Sequence, residues 1–451
     1  MEIKQFEDIN LAHFSYAILS HDEIVLIDPA RDPAPYYAFA KQHNATIKAV
    51  IETHPHADFI SSHLEIHKST DATIYVSSLL GATYPYQSFD NGDVLQIGDV
   101  YLKAHNTPGH SPDSISVILE DQQGKKLAVF SGDTLFIGDC GRPDLREKAG
   151  AITASRRDLA KQMYYSLRNT YLNLPDDVIV YPAHGAGSLC GKGLSKANHS
   201  TIGAEKISNW SLQEMSEEEF IEALLADQPF VPKYFPNSVS INKEGAPNFQ
   251  ESIDAVPFLA PVCNQEDAAN LNSSLVIIDT RSQEAFKAGH LPKAINLMID
   301  TKFETWLGSI IAPGEKFYLT GSNEEQLKTL VARIAKIGYE NQIEGVFVSD
   351  YGYIQSPSFS VEEFKANVDA YTIVDIRNPS EVNAGKIFAS AVTIPLYELR
   401  ERAGEIPTHK PIMVHCAAGY RSAAGSSILE NVLSSNATIF DLSIAIKDFK
   451  S

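Results

Sequence analysis

At 451 residues the chain is too long for one hydrophobic core, so about two to four domains are expected. Its 44% hydrophobic and 21% charged residues are ordinary for globular protein, and no apolar run approaches the ~20 residues that cross a bilayer. A net charge of −20 argues against nucleic acid and anionic membrane as partners, because both reward clustered Lys and Arg.

Residues 1–19 lack a basic segment followed by an apolar core, so no secretory signal is expected. The four cysteines, Cys140, Cys190, Cys263 and Cys416, are too scattered for a disulfide framework. Reduced thiols in a cytoplasm are the expectation.

The β-branched run over 23–27 predicts a strand, closed by a turn at Asp28-Pro29. A helix over 36–43 follows, then a buried strand over 47–51. That strand delivers Thr53-His54-Pro55-His56-Ala57-Asp58, two imidazoles and a carboxylate spaced two apart. Borderline metals such as zinc and iron take such ligands. A strand over 100–104 leads into Thr107-Pro108-Gly109-His110-Ser111-Pro112-Asp113, and a strand over 114–119 leaves it. The strand over 127–130 ends at Ser131-Gly132-Asp133, and the strand over 178–181 ends at Pro182-Ala183-His184-Gly185. The pattern is a strand, a tight loop and a ligand-type side chain, repeated four times. We read it as a metal site.

Those four loops, in that order, resemble the metallo-β-lactamase fold, an αββα sandwich of two sheets between helices, over roughly the first 250 residues. Two-metal hydrolases of this fold, such as glyoxalase II, carry His-x-His-x-Asp-His. Phe59 stands at the last position here and cannot ligate, which favours one metal. The phrase Gly132-Asp133-Thr134-Leu135 through Cys140-Gly141-Arg142-Pro143-Asp144 is similar to one in the mononuclear iron branch, the persulfide dioxygenases. That resemblance implies one Fe(II) per chain held by His54, His110 and Asp133. It places His56, Asp58 and His184 around these ligands, as hydrogen-bonding groups that orient them. It gives Arg142 either a carboxylate of the carrier thiol or a structural ion pair. Cys140 reads as a packed residue. Cys190, within Gly187-Ser188-Leu189-Cys190-Gly191-Lys192, resembles a stretch of fused persulfide dioxygenase-sulfurtransferases. It is either a persulfide acceptor whose thiol Lys192 acidifies, or a structural cysteine.

An amphipathic helix over 212–226 precedes Pro229, Pro232, Pro236 and Pro247, which mark a boundary. Two similar units then follow. Asp279-Thr280-Arg281 recurs as Asp375-Ile376-Arg377, roughly 96 positions on, so a duplication is expected. Strands alternate with helices in each unit, implying α/β parallel sheets. Both units resemble rhodanese domains, whose first strand ends in Asp-x-Arg. In the second unit, Cys416-Ala417-Ala418-Gly419-Tyr420-Arg421 opens a helix after a buried strand. Backbone N–H groups at that helix start stabilise a thiolate or persulfide, and Arg421 adds charge. The first unit has Gly321-Ser322-Asn323-Glu324-Glu325 instead, without a cysteine.

The expected organisation is therefore a metallo-β-lactamase-like domain over 1–255, a rhodanese-like domain without the nucleophile over 260–355, and a catalytic rhodanese domain over 358–451. The whole resembles a bacterial persulfide dioxygenase-sulfurtransferase fusion of sulfide detoxification. That implies a persulfide of glutathione, coenzyme A or a similar thiol as substrate, with O2, sulfite and thiosulfate as further small partners. A homo-oligomer is also expected. Two rivals are a dinuclear zinc thioester hydrolase of glyoxalase II type and a sulfur carrier or sensor without turnover.

Overall fold

The β-branched runs of the first half build two six-stranded sheets. The structure, a computed structural model, describes residues 1–146 and 155–450. Two compact units divide the chain: residues 1–252 with 335–338, and residues 253–334 with 339–451.

In the first unit, β1 (Glu2–Asp8), β2 (His13–Ser20), β3 (Glu23–Ile27), β4 (Thr46–Ile51), β5 (Thr73–Val76) and β6 (Gln87–Ser88) lie side by side in chain order. The first three are antiparallel, and β3 through β6 are parallel. Parallel neighbours need crossovers, and the helices Ala34–Gln42 and His63–Thr70 supply two of them. The second sheet runs β7 (Val94–Ile97), β8 (Val100–Asn106), β9 (Ile115–Glu120), β10 (Lys126–Gly132), β11 (Ile179–Pro182) and β12 (Ser200–Thr201), also in chain order.

Strand alternation decides which sheet face meets which layer. Ile18, Val25, Ile27 and Ile51 pack against Leu102, Val117, Leu119 and Phe130 between the sheets. Ile24, Leu26 and Val50 point the other way, onto Tyr36, Phe39 and Ile66. Ile118, Val129 and Val180 face Ala160, Met163, Phe220 and Leu224 on the far side. The result is a helix–sheet–sheet–helix sandwich whose strands are buried on both faces.

The helix expected over 212–226 is shorter, Glu217–Leu225, with a separate turn at Trp210–Leu212. Ser216 sets its start: its side chain accepts from Glu219 N–H, while the Glu219 carboxylate accepts from Ser216 N–H.

The second unit holds two four-stranded, all-parallel sheets of the same order. One is β14-β13-β15-β16, from β13 (Val276–Asp279), β14 (Ala294–Asn296), β15 (Phe317–Gly321) and β16 (Ile343–Val348). The other is β18-β17-β19-β20, from β17 (Thr372–Asp375), β18 (Val392–Thr393), β19 (Ile412–His415) and β20 (Ile439–Asp441). The duplication extends to single hydrogen bonds. Arg281 folds back onto Asp279 and donates to the Gly289 carbonyl at 2.9 Å. Arg377 folds back onto Asp375 and donates to the Gly385 carbonyl at 3.0 Å.

Leu119 lies between the sheets with 0% exposure. Leu119→Ala is expected to cost about 2–5 kcal/mol, read as a lower denaturation midpoint of the first unit by circular dichroism.

Candidate metal centre and sulfur-transfer loop

The four loops predicted to carry ligands bring their side chains together. Ring nitrogens of His54 and His110 and a carboxylate oxygen of Asp133 all lie within 4.8 Å of one another, and all three residues are buried. Asp133 Oδ2 sits 3.3 Å from His110 Nε2 and 3.7 Å from His54 Nε2. Both rings are turned by hydrogen bonds at Nδ1: His110 donates to the Arg142 carbonyl at 2.8 Å, and His54 lies 3.0 Å from Thr53 Oγ1. Each therefore presents Nε2 to the shared volume. Neither oxygen of Asp133 takes a hydrogen bond, an arrangement that is costly for a buried carboxylate unless a cation neutralises it. Two imidazoles and a carboxylate fit a divalent metal, and they are the ligand types of non-haem Fe(II) sites with open positions.

A second group adjoins the first. His184 Nε2 stands 3.4 Å from Asp58 Oδ2 and 3.5 Å from Asp133 Oδ1, so Asp133 faces the two groups with different oxygens. His184 Nδ1 lies 3.2 Å from the Ala12 carbonyl. His56 also has a nitrogen close to Asp58 and His184, yet its Nε2 pairs with Asp28 at 3.1 Å and approaches Glu52 at 3.7 Å. Burial works against charge on His56, but Asp28, then Glu52 and Asp133, outweigh it and raise its pKa to about 9. Phe59 is buried with its ring 3.8 Å from that of His13 and 4.3 Å from that of His56, so packed carbon stands where the two-metal hydrolases carry imidazole.

His13, Asp28, Glu52 and Thr53 complete this surround and were not singled out by sequence. Asp28 follows a strand directly, but beside Pro29 it signals a turn. His13 gives no signal inside an apolar strand. Its pKa is pushed well down by burial, then by the His184 and His56 imidazoles.

Of the two readings of Arg142, the contacts favour the structural ion pair. Arg142 is 1% exposed, binds Asp144 through two bonds of 2.7 and 2.6 Å, and donates to the carbonyls of Leu189 and Phe230. Its role here is to fasten loops, as a buried guanidinium demands partners for its donors. Lys192 does not acidify Cys190. Its ammonium donates to the carbonyls of Ala223 and Ala226, at 2.5 and 2.9 Å. Cys190 is buried beside Asp133 and His184, and burial, then the Asp58 and Asp133 carboxylates, push its thiol pKa well up. Cys140 is likewise buried, and desolvation keeps it protonated.

In the second unit, Cys416 follows β19 and its Sγ accepts from Gly419 N–H at 3.2 Å. Gly419 has φ of +102°, a conformation that favours glycine and lets the chain turn into the helix Tyr420–Leu433. Arg421 reaches this loop already paired. Its guanidinium holds Glu381 through bonds of 2.5 and 2.7 Å and lies 5.8 Å from the centre of the Trp306 ring. Burial opposes ionisation of Glu381, but Arg421 holds its carboxyl below the usual range.

Strand register shows what stands in place of Cys416 in the first repeat. Asp375 pairs with His415, and Asp279 pairs with Thr320, so Gly321 occupies the place of Cys416. A Cβ there would lie 2.6 Å from Thr280 Oγ1. A side chain there would have to displace Thr280, so the position differs from that of Cys416 in packing as well as in lacking the thiol.

Fold and site together give a buried His/Asp cluster of metal-ligand type in an αββα sandwich, followed by a duplicated α/β module with one cysteine loop. The metallo-beta-lactamase superfamily profile matches residues 9–184, and the rhodanese-like domain profile matches residues 264–353 and 360–451. A metallo-beta-lactamase from Staphylococcus aureus, of known structure, is 33% identical, with a TM-score of 0.67 over 77% of this chain and 98% of its own. The chain belongs to the metallo-beta-lactamase superfamily and carries two rhodanese-like domains after that domain. Cytoplasmic hydroxyacylglutathione hydrolase of Arabidopsis thaliana is 34% identical over 38% of this chain. The mitochondrial persulfide dioxygenase ETHE1 of Homo sapiens is 29% identical over 40% of it. The chain spans 63% and 66% of the lengths of these two relatives. No helix among the described residues is long and apolar enough to cross a membrane.

Two outcomes follow for the thiols. Gly321→Cys in a Cys416→Ser background is expected to load no persulfide, measured by mass spectrometry after incubation with thiosulfate. Lys192→Ala is expected to leave the alkylation rate of Cys190 unchanged, measured on the metal-free protein.

Proposed function

We propose that the chain oxidises a low-molecular-weight persulfide to sulfite at the His54/His110/Asp133 centre and makes thiosulfate at Cys416. The convergence of these three buried side chains, with His56 paired to Asp28, carries the reading. It is supported by similarity to a persulfide dioxygenase and by the rhodanese-like repeats. Fe(II) held by His54, His110 and Asp133 would supply binding and activation of a soft, anionic sulfur and of dioxygen.

The overall reaction is R–S–S⁻ + O2 + H2O → R–SH + SO3²⁻ + H⁺, in which the outer sulfur takes both atoms of O2 and is oxidised. The chain's residues perform the remaining tasks. His54, His110 and Asp133 hold the metal. Asp58 and His184 line the volume beside it. Phe59, packed against His13 and His56, keeps part of that volume apolar. At the second centre the Cys416 persulfide gives its outer sulfur to sulfite: Cys–S–S⁻ + SO3²⁻ → Cys–S⁻ + S2O3²⁻. The S–S bond breaks, a new one forms to sulfite, and the Gly419 N–H remains to stabilise the thiolate left behind. Location of both reactions on one chain raises the sulfite concentration available to Cys416.

The second reading is a two-metal thioester hydrolase, favoured by the hydroxyacylglutathione hydrolase similarity and by the neighbouring Asp58/His184 group. Anaerobic metal analysis with oxygen uptake on several persulfides separates the two. One iron per chain and uptake of O2 with release of sulfite are expected. Two zinc ions, thioester cleavage and no uptake would sink the dioxygenase. Cys416→Ser is expected to keep oxygen uptake and lose thiosulfate, read by product chromatography.

A further inference from the structure

The imidazoles around the centre are oriented in different ways. His110 and His184 lean on backbone carbonyls, of Arg142 and Ala12, which no substitution removes. His54 instead leans on a side-chain relay. Thr53 Oγ1 donates to Asp28 Oδ2 at 2.8 Å. A hydroxyl has one proton, so the same oxygen must accept at its 3.0 Å contact with His54 Nδ1. That leaves the proton of the neutral ring on Nδ1 and the lone pair on Nε2, the atom facing Asp133.

The relay is built into the backbone. Asp28 holds φ of +50°, unusual for a residue other than glycine. Its N–H donates to the Ile51 carbonyl at 3.0 Å, and its Oδ1 accepts from Thr53 N–H at 2.7 Å. Gly132, at φ of +52°, closes over the threonine: a Cβ on it would come within 2.5 Å of Thr53 Oγ1. Both Asp28 and Thr53 are 1% exposed, so water does not substitute for either. The threonine side chain has little freedom to change rotamer, and the direction in which its O–H points decides which nitrogen of His54 is basic.

We propose that Asp28 and Thr53 are positioning residues for the metal centre, acting through the tautomer of His54. The inference rests on the reading that His54, His110 and Asp133 hold a metal. It makes an unusual demand of near-isosteric variants. Thr53→Ser keeps the relay. Thr53→Val removes the acceptor and leaves the ring proton without its partner. Asp28→Asn reverses the polarity: the amide oxygen keeps Thr53 N–H, the amide nitrogen donates to Thr53 Oγ1, and the hydroxyl proton turns to His54 Nδ1. The ring then carries its proton on Nε2, where no metal can bind.

The test is anaerobic Co(II) titration of the full chain against a competing chelator, with the visible spectrum of bound Co(II) and thermal unfolding of the metal-free protein recorded for each variant. Thr53→Ser is expected to match the wild type in affinity and spectrum. Thr53→Val should bind about 10–100-fold more weakly, and Asp28→Asn at least as weakly as Thr53→Val. Wild-type affinity in both of those variants overturns the relay, as does a Thr53→Ser variant as weak as Thr53→Val. A wild-type chain that binds Co(II) no better than His110→Ala overturns the relay and the metal reading together. The expected pattern in a chain that consumes no oxygen would sink the dioxygenase alone and leave the relay standing.

Discussion

A buried carboxylate facing two ways organises the first unit. Asp133 turns Oδ2 to His54 and His110, and Oδ1 to His184. Neither oxygen has a hydrogen-bond partner, and a buried carboxylate without donors is costly unless a cation or a proton offsets it. The sandwich tolerates it because strands rigid on both faces hold the surrounding loops. β4, β10 and β11 each end in a ligand-type residue within a few positions of the last paired residue. Burial between two sheets and two helical layers thus makes a polar centre possible, and the centre's unmet charge makes metal binding the expected consequence.

Electrostatics then sort residues of like chemistry into different tasks. His54 and His56 are two positions apart, yet Asp28 engages them differently. It pairs directly with His56 and reaches His54 only through Thr53. Arg142 and Lys192 show the opposite outcome. Cationic side chains near an anion-handling site invite a substrate role, but their donors are already satisfied by Asp144 and by backbone carbonyls. Cys190 lies close to the same carboxylates and is held protonated by burial and their charge.

The duplicated unit keeps one architecture in both repeats and a cysteine loop in only one. Strand order and the Asp-x-Arg clasp are the same in both repeats. The difference that bears on the thiol lies in the turn after the third strand of each. There, Cys416 meets the amide of Gly419, while Gly321 is packed against Thr280. Retention of the clasp fits a structural purpose for it: it ties the end of the first strand to the residue that closes the following helix, and helix and sheet packing are needed in both repeats. The thiol loop serves only one.

Much of this was legible in the sequence. Strand runs over 23–27, 47–51, 100–104 and 114–119 became β3, β4, β8 and β9, because β-branched residues buried on both faces admit few other conformations. Histidines at strand ends signalled a shared centre, and Asp-x-Arg spacing signalled the duplication. The sequence could not say that Arg142 is enclosed, that Lys192 turns away, or that a side chain at Gly321 would meet Thr280, since each depends on neighbours dozens of residues distant. Asp28 is the clearest case. By sequence it is a turn residue before a proline. Only the pairing of β3 with β4, which sets the ends of the two strands together, places its carboxylate under Thr53 and His56. Local periodicity determined the elements and the kinds of ligand. The direction in which each buried polar group points was decided by tertiary packing, because inside a dry core every donor and acceptor must find its partner across the fold.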